Sequence, residues 1–217
     1  MTKVKICGIT NIGDAVYAAE CGADAIGFVF YRNSPRFIER KTAKEIIRSL
    51  PPFITTVGVF VNHDIEDIIE TVNDCRLNAV QLHGDEPPDY CVKIPLLSPF
   101  NKGGAGGVKI IKAIRIESED SLEKMKDYEV SAFLLDSYSK NSYGGTGRTF
   151  NWNMAVKAKK YGRIILAGGL TADNVVEAIE KVKPYGADVS SGVEERDGKK
   201  DKEKVREFIK RVKGYGL

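Results

Sequence analysis

Short apolar runs rich in β-branched residues alternate along this chain with longer stretches whose apolar residues recur every three or four positions. The short runs have the composition of β-strands. The longer stretches, such as 65–72 and 205–212, place their apolar residues at the i, i+3, i+4, i+7 spacing of one buried helical face. Regular alternation of the two patterns predicts repeated β/α units around a parallel sheet.

Counting the strand-like runs decides which parallel fold to expect. There are eight, and they lie at Val4 to Cys7, Ala25 to Phe30, Thr56 to Val61, Ala79 to His83, Lys109 to Ile114, Ala132 to Asp136, Ile164 to Ala167 and Ala187 to Ser190. A doubly wound open sheet usually has five or six strands and a G-x-G-x-x-G turn after the first, which is missing here. The sequence therefore predicts a single (β/α)8 barrel domain over residues 1–217.

Local signals refine this outline. Thr10 is expected to cap the first helix through its side-chain oxygen, and Gly22 and Gly186 are expected at helix exits. Two prolines and four glycines near residues 95–108 predict an irregular insertion after the fourth helix.

Composition narrows the class of function. Hydrophobic residues make up 42% of the chain and charged residues 29%, and no apolar run approaches the roughly 20 residues of a membrane span. No secretory signal is visible, so a cytoplasmic location is expected. The net charge of +3 comes from interleaved acidic and basic residues, which argues against nucleic-acid binding. The four cysteines show no C-x-x-C spacing, so no metal site is expected.

Residues just after the strands of a barrel meet at one rim, where catalytic groups lie. Cys7 follows the first predicted strand, and as a thiolate it would be a useful base or nucleophile. The alternative is a buried cysteine that acts as a small hydrophobe. Asp136 ends the apolar run of the sixth strand, where apolar walls favour a protonated general acid, the alternative being a helix or turn cap. Residues 137–149 after it resemble a mobile lid.

Two glycine-containing turns follow the last two predicted strands. Gly168 and Gly169 follow the seventh, and Ser191 and Gly192 follow the eighth. Barrel enzymes often bind phosphate at these positions through bare backbone N–H groups. The alternative is that the glycines only permit tight turns, but their presence at both positions favours a ligand that carries phosphate.

Other polar residues near the rim each allow more than one role. Arg36, on a turn with a proline, suits bidentate pairing with a carboxylate, or is a surface arginine. His83 is a base, a donor to substrate or a packing residue, and a nucleophilic pair of Cys7 and His83 is conceivable. Gln81 and Asp188 also lie near the predicted rim.

Six motifs together resemble those of the phosphoribosylanthranilate isomerase family, and the resemblance spans nearly the whole chain. They are Lys5 to Thr10, Gly27 to Phe30 with Ser34 to Arg36, Val57 to Phe60, Val80 to Gly84, Gly144 to Phe150 and Leu166 to Leu170. The resemblance implies a barrel enzyme of tryptophan biosynthesis. Its reaction is an Amadori rearrangement of N-(5'-phosphoribosyl)anthranilate to a 1-deoxyribulose 5-phosphate, without cofactor or metal.

The same resemblance implies a role for individual residues. Asp136 matches the general acid that protonates the ribose ring oxygen, and Cys7 matches the general base that removes the C2' proton. Arg36 matches the residue that holds the anthranilate carboxylate, the glycines match the phosphate cradle, and Asp188 and Glu194 hold sugar hydroxyls or orient neighbours. The only expected partner is the small phosphoribosyl substrate, and the choice between monomer and homodimer stays open.

Two other functions fit parts of the sequence. One is a Schiff-base aldolase that uses Lys5, Lys109 or Lys112, although Lys5 and Lys112 alternate with apolar neighbours as on a structural face. The other is a non-catalytic barrel that binds a phosphosugar through the cradle alone. The presence of both Cys7 and Asp136 favours the isomerase.

Overall fold

A computed structural model describes residues 1–97, 107–137 and 149–214 of the chain. Eight parallel strands, β1 to β8, form a closed barrel in sequence order, which confirms the predicted fold. The strands are Lys3–Ile6, Ala25–Val29, Thr55–Phe60, Ala79–Leu82, Lys109–Ile116, Ala132–Ser137, Ile164–Leu166 and Gly186–Val189. Each observed strand overlaps one predicted run, because β-branched apolar runs suit strands that are buried on both faces.

Helices follow the strands and surround the barrel. The helices α1 to α8 are Ile12–Glu20, Arg40–Ser49, Ile65–Cys75, Pro88–Leu97, Asp120–Glu123, Trp152–Ala158, Val175–Val182 and Lys202–Gly214. A short antiparallel hairpin of β9 (Glu194–Arg196) and β10 (Lys199–Lys200) lies between β8 and α8. This hairpin brings charged residues to the end of the barrel where strands β1 and β8 finish.

The core has two parts. Phe28, Phe60, Phe133 and Phe208 are fully buried in the layer between strands and helices. A second cluster of smaller residues fills the barrel interior, with members Val57, Ala79, Ile111, Ala113, Ala132, Leu134, Ile165 and Ala167. The interior is therefore a packed support for the residues at the rim.

Several local predictions need correction. Asn11, not Thr10, caps α1: its side chain accepts from the Asp14 amide at 2.9 Å, whereas the Thr10 hydroxyl donates to the Gly198 carbonyl. Gly186 lies in β8 rather than at a helix exit, and α7 ends at Lys183 in the left-handed conformation. Gly22, at φ +101°, does follow α1 as predicted.

Two predicted segments fall largely outside the described residues. Helix α4 continues to Leu97 and includes a proline, so the irregular stretch predicted near 95–108 does not begin before residue 98. Residues 98–106, the greater part of that stretch, are not described, nor are residues 138–148, which hold most of the predicted lid and of the Gly144 to Phe150 motif. In the described part of the chain, no helix is long and apolar enough to cross a membrane.

Candidate active site

A cavity of about 310 Å³ opens at the carboxyl end of the barrel. All ten residues predicted for the site line it, namely Cys7, Arg36, Gln81, His83, Asp136, Gly168, Gly169, Asp188, Ser191 and Gly192. They converge because the carboxyl ends of parallel strands in a closed barrel all meet at one rim. The remaining lining includes apolar side chains from β2, β3 and the loop after β7, such as Val29, Val59 and Leu170.

Cys7 lies immediately after β1 and is 7% exposed. Its side chain packs with Val29 and Val59, which form one wall of the cavity. The pKa of the Cys7 thiol is raised overall, because burial outweighs the nearby Lys5 ammonium, which lowers it, and the Asp188 carboxylate also raises it. The cysteine therefore lies in the cavity with a fixed pattern of charge around it, which a cysteine acting only as a hydrophobe would not need.

Asp136, at the end of β6, belongs to a buried chain of hydrogen bonds. Its Oδ1 accepts from the Ser137 amide at 2.8 Å, and its Oδ2 lies 3.2 Å from Nε2 of His83. Nδ1 of His83 lies 2.8 Å from Nε2 of Gln81. Since an amide nitrogen is a donor, His83 accepts at Nδ1 and donates from Nε2 to Asp136. Both ring nitrogens are thus engaged with groups other than the Cys7 thiol, which argues against a nucleophilic pair of Cys7 and His83.

Arg36 is buried at 8% exposure, so the surface-arginine alternative is wrong. Its Nε and Nη2 donate to the two carboxylate oxygens of Glu194 at 2.9 and 2.6 Å, and Nη2 also donates to Asp197 at 2.9 Å. Lys200 donates to the same Glu194 at 2.8 Å and to the Ser190 carbonyl at 3.2 Å. Among the described residues no partner is recorded for Nη1 of Arg36, which leaves this nitrogen for a ligand.

The loops after β7 and β8 pack so closely that their backbones are in contact. A Cβ built on Gly192 would lie 1.9 Å from the Leu170 carbonyl oxygen, so only glycine fits there. Gly168 and Gly169 have φ of +78° and +64°, which only glycine adopts readily. Asn174 braces the first loop, because its side chain accepts from the Thr171 amide and donates to the Gly169 carbonyl, both at 2.9 Å.

Two polar atoms in the cavity wall are buried and have no hydrogen-bond partner among the described residues. They are Oε1 of Gln81 and Oγ of Ser190. Buried polar groups are normally paired, so unpaired ones in a cavity wall are candidates for ligand contacts. Ser190 ends the eighth predicted strand-like run, so the sequence already placed it at the rim beside Ser191 and Gly192.

The three lysines considered for Schiff-base chemistry lie in different places. Lys112 points out of the barrel towards the helices, where it donates to Glu86 at 2.7 Å and to the Gly84 carbonyl at 2.8 Å. Lys109 is exposed and lines a cavity at the opposite, amino end. Lys5 lies inside the barrel below Cys7, which corrects its assignment to a structural face, and it donates to Asp188 at 2.8 Å.

Lys200 was missed by sequence reasoning. It is 2% exposed and belongs to the hairpin after β8, ten positions beyond the Ser190 carbonyl that it contacts. No strand-end position or local motif marks it, because only the folding back of the hairpin brings it to the rim. Burial lowers the pKa of Lys200, and the paired Glu194 opposes this effect.

The arrangement offers a sulfur acid–base group and a carboxyl group in facing walls, since β1 and β6 are separated by two strands on one side and four on the other. Close to the sulfur, the glycine loops after β7 and β8 suit an anion such as phosphate. A guanidinium nitrogen of Arg36 is available for a second anionic group. These features suit proton transfer on a small ligand with two anionic ends.

Comparisons with known proteins agree with this geometry. A sequence model of the family described as N-(5'phosphoribosyl)anthranilate (PRA) isomerase matches residues 4–211. An N-(5'-phosphoribosyl)anthranilate isomerase of Geotalea uraniireducens is 56% identical over 214 residues, which cover 99% of this chain and 100% of the relative.

Solved structures give the same result. The monomers generated from the dimeric phosphoribosylanthranilate isomerase of Thermotoga maritima match with a TM-score of 0.85 and 40% identity, over 99% of this chain and 100% of theirs. A phosphoribosyl anthranilate isomerase in complex with reduced 1-(o-carboxyphenylamino)-1-deoxyribulose 5-phosphate matches with a TM-score of 0.84 and 40% identity, over the same shares of the two chains.

Proposed function

This chain belongs to the N-(5'-phosphoribosyl)anthranilate isomerase family of tryptophan biosynthesis, and from that premise we propose that Cys7 and Asp136 are its general base and general acid. The reaction is an isomerisation of the phosphoribosylamine to the 1-deoxyribulose 5-phosphate. The observation that carries the proposal is that the thiol and the carboxyl group line facing walls of one cavity. Their separation across the cavity matches a reaction that needs an acid and a base at different atoms of one sugar.

In the proposed first step, Asp136 gives its proton to the ribose ring oxygen. The C1'–O bond breaks, and the lone pair of the anilino nitrogen forms a protonated Schiff base with C1'. In the second step, the Cys7 thiolate removes the proton from C2', and the C–H electron pair forms the C1'–C2' double bond of an enolamine. Loss of the proton on the C2' oxygen and protonation at C1' then give the ketone.

Each turnover must return the proton of Cys7 and restore that of Asp136. Two protons leave the substrate, from C2' and its hydroxyl, and two arrive, at the ring oxygen and at C1'. The enzyme therefore ends in its starting state without any external oxidant or reductant. The hydrogen bonds from Ser137 and His83 hold the carboxyl group of Asp136 in one orientation while its protonation changes.

The two ends of the substrate carry the binding contacts in this proposal. The backbone N–H groups of the turns at Gly168 to Gly169 and Ser191 to Gly192 bind the phosphate. In support of this contact, both turns line the cavity and their glycines have no side chain to keep an anion away from the backbone. Nη1 of Arg36 binds the anthranilate carboxylate, while Glu194 fixes the guanidinium from the other side. Gln81, His83 and Asp188 contact the sugar between these ends.

The experiment is a fluorescence assay of anthranilate-ribotide consumption with purified protein, paired with rescue of a tryptophan auxotroph. Cys7→Ala and Asp136→Asn should each lower kcat by at least ~10², the scale of a lost acid or base, while circular dichroism and the affinity for a product analogue stay close to those of the parent. Cys21→Ala is the matched control, since that cysteine lies at the end of α1 outside the cavity. Near-parent turnover by either site variant contradicts the assignment.

The other two candidate functions give different results in the same experiments. A non-catalytic phosphosugar-binding barrel would bind the substrate without converting it. A Schiff-base aldolase would be trapped by borohydride as a covalent adduct on a lysine, and the buried ion pair of Lys5 with Asp188 argues against this, because a protonated amine is no nucleophile. We expect no adduct.

We further propose that the chain acts as one barrel domain and forms a homodimer through the amino end of the barrel. Phe53 and Tyr185 are 96% and 50% exposed there. Both line a cavity of about 720 Å³ at this end, and exposed apolar surface of this kind often marks an interface. The dimeric Thermotoga relative supports the proposal. Light scattering should give twice the chain mass for the parent and a lower mass for Phe53→Ser, and a monomeric parent would refute the proposed dimer.

The cytoplasmic location stays a prediction.

A further inference from the structure

Lys5 is a buried cation that the proposed mechanism does not use. It is 5% exposed, and its side chain lies inside the barrel two positions before Cys7, on the same face of β1. Its Nζ donates to Oδ1 of Asp188, the residue opposite it on β8, at 2.8 Å. Lys5 lines the cavity at the amino end rather than the active-site cavity, so it approaches Cys7 from below.

Gly27 on β2 shows how close the ammonium and the sulfur are. A Cβ at this position would lie 2.8 Å from Sγ of Cys7 and 3.1 Å from Nζ of Lys5. Both atoms thus occupy the space that a side chain at residue 27 would fill, and they lie within about 6 Å of each other, a range in which a cation stabilises a neighbouring anion. The missing side chain at residue 27 makes room for this pair.

The stability of the fold does not by itself account for a charge pair at this depth. Transfer of two ions from water into a protein interior costs several kcal/mol per ion, and apolar residues of similar volume often replace such a pair without loss of stability. The rest of the barrel interior at this level consists of small apolar residues such as Ala25, Val57 and Ile165. The placement of this cation beneath the thiol therefore has a more direct explanation in the chemistry of the thiol.

We propose that Lys5 is a positioning residue whose ammonium group, held by Asp188, stabilises the thiolate form of Cys7. The proposal rests on the proposed role of Cys7 as general base. Lys5 acts through the sulfur and does not touch the substrate. Without it, burial in the apolar wall would favour the neutral thiol still more strongly, and the neutral thiol cannot remove the C2' proton.

The other charged groups near Cys7 do not replace Lys5. Burial raises the pKa of the thiol, and the effect of Lys5 is the largest one that lowers it. Asp188 acts in the opposite direction, and Lys200 lowers the pKa less than Lys5 does. Among the described residues, the ionisable groups around the sulfur are Lys5, Asp188, Lys200 and Arg36 on its own side, Tyr31 just after β2, and His83 and Asp136 across the cavity. The neighbouring strands β2 and β3 contribute Gly27, Val29 and Val59 to the surroundings of the sulfur, none of which is charged.

The test is a pH titration of the Cys7 thiolate by ultraviolet absorbance, taken as the difference from Cys7→Ala, together with the pH profile of kcat/KM. Lys5→Met should move both the thiolate titration and the acid limb of the profile upwards by at least about one pH unit, the effect of losing one close opposite charge. Lys5→Arg should keep both near the parent. Asp188→Asn should move the titration downwards, because it removes an anion and leaves the cation.

Lys112→Met is the matched control. Lys112 is also a buried, ion-paired lysine on a barrel strand, but it points away from the interior. Lys112→Met should lose stability as Lys5→Met does, yet leave the thiolate titration unchanged. This outcome separates an electrostatic effect on Cys7 from a general loss of stability. If Lys5→Met does not fold, the downward shift in Asp188→Asn and the retention in Lys5→Arg decide the question.

The inference is overturned if the thiolate titrates at the same pH in the parent, Lys5→Met and Asp188→Asn, or if Lys112→Met shifts it as much as Lys5→Met does. Its failure is distinguishable from failure of the proposed function. An inactive Cys7→Ala with a titration that ignores Lys5 removes only the role of Lys5. An active Cys7→Ala removes the role of Cys7 as general base, whatever the titration shows.

Discussion

Gly192→Ala isolates the contribution of the glycine turns to catalysis. Gly192 is not in the left-handed region, so the added methyl group acts through contact alone. Its Cβ would lie 1.9 Å from the carbonyl oxygen of Leu170, and real Cβ contacts essentially never fall below 3.0 Å. The loops after β7 and β8 must therefore separate by at least about 1 Å. A displacement of that size in a binding group costs on the order of 10²-fold in rate.

We expect kcat/KM for Gly192→Ala to fall by about 10², which corresponds to roughly 2.7 kcal/mol of lost transition-state stabilisation. Steady-state kinetics measures this loss, and inhibition by inorganic phosphate should weaken in parallel, since the same loops form the proposed phosphate site. Gly13→Ala in α1 is the control, because its Cβ would meet only the Asn11 side chain at an ordinary 3.5 Å. A folded Gly192→Ala with parent kcat/KM and parent phosphate affinity would refute the proposed cradle.

Two further predictions concern stability. Lys112→Met leaves the buried Glu86 carboxylate without its counter-ion, so urea unfolding should show a loss of about 3 to 5 kcal/mol. The double variant Lys112→Met/Glu86→Gln should recover most of it, because the neutral amide oxygen still accepts from the Asn62 and Gly84 amides, and an equally unstable double variant would contradict this reasoning. Burial raises the pKa of Cys75 and of Cys91 to about 11, above the ~8.5 of an unfolded thiol. The neutral thiols therefore stabilise the fold fully below pH ~8.5, and this contribution is lost as the pH rises towards about 11. Between pH 8 and pH 10.5, the free energy of unfolding of the parent should fall by on the order of 1 kcal/mol per thiol more than that of Cys75→Ala/Cys91→Ala. An equal pH dependence of the two proteins would contradict the raised pKa values.

Much of the site could be predicted because, in a barrel, a residue's position at the end of a strand in the sequence fixes its position at the rim in space. Once eight strands were recognised, every residue that follows a strand had to lie at one rim. Cys7, Asp136 and the glycine turns were found in this way. Lys200 and Asn174 escaped the same reasoning because neither follows a strand directly: Lys200 reaches the rim from a hairpin, and Asn174 from the start of a helix.

Local caps show the same limit at smaller scale. Thr10 and Asn11 are neighbours, and both residue types cap helices, so the sequence does not decide between them. The hairpin does decide, because the Gly198 carbonyl accepts the hydroxyl proton of Thr10 and leaves Asn11 to cap α1.

The sequence alone determined the class of fold, the position of the rim and the identity of ten groups that line the cavity there. Hydrophobic periodicity and strand order are local properties, and a closed barrel leaves no further choice of where strand ends meet. Tertiary structure alone decided the electrical surroundings of those groups. Only folding brings Asp188 into contact with Lys5 and Glu194 into contact with Arg36. Folding likewise places His83 between Gln81 and Asp136, with a hydrogen bond to each. The charge and hydrogen bonds around a buried group come from atoms within a few ångströms, and for Cys7 and Asp136 many of those atoms belong to residues far away in the sequence.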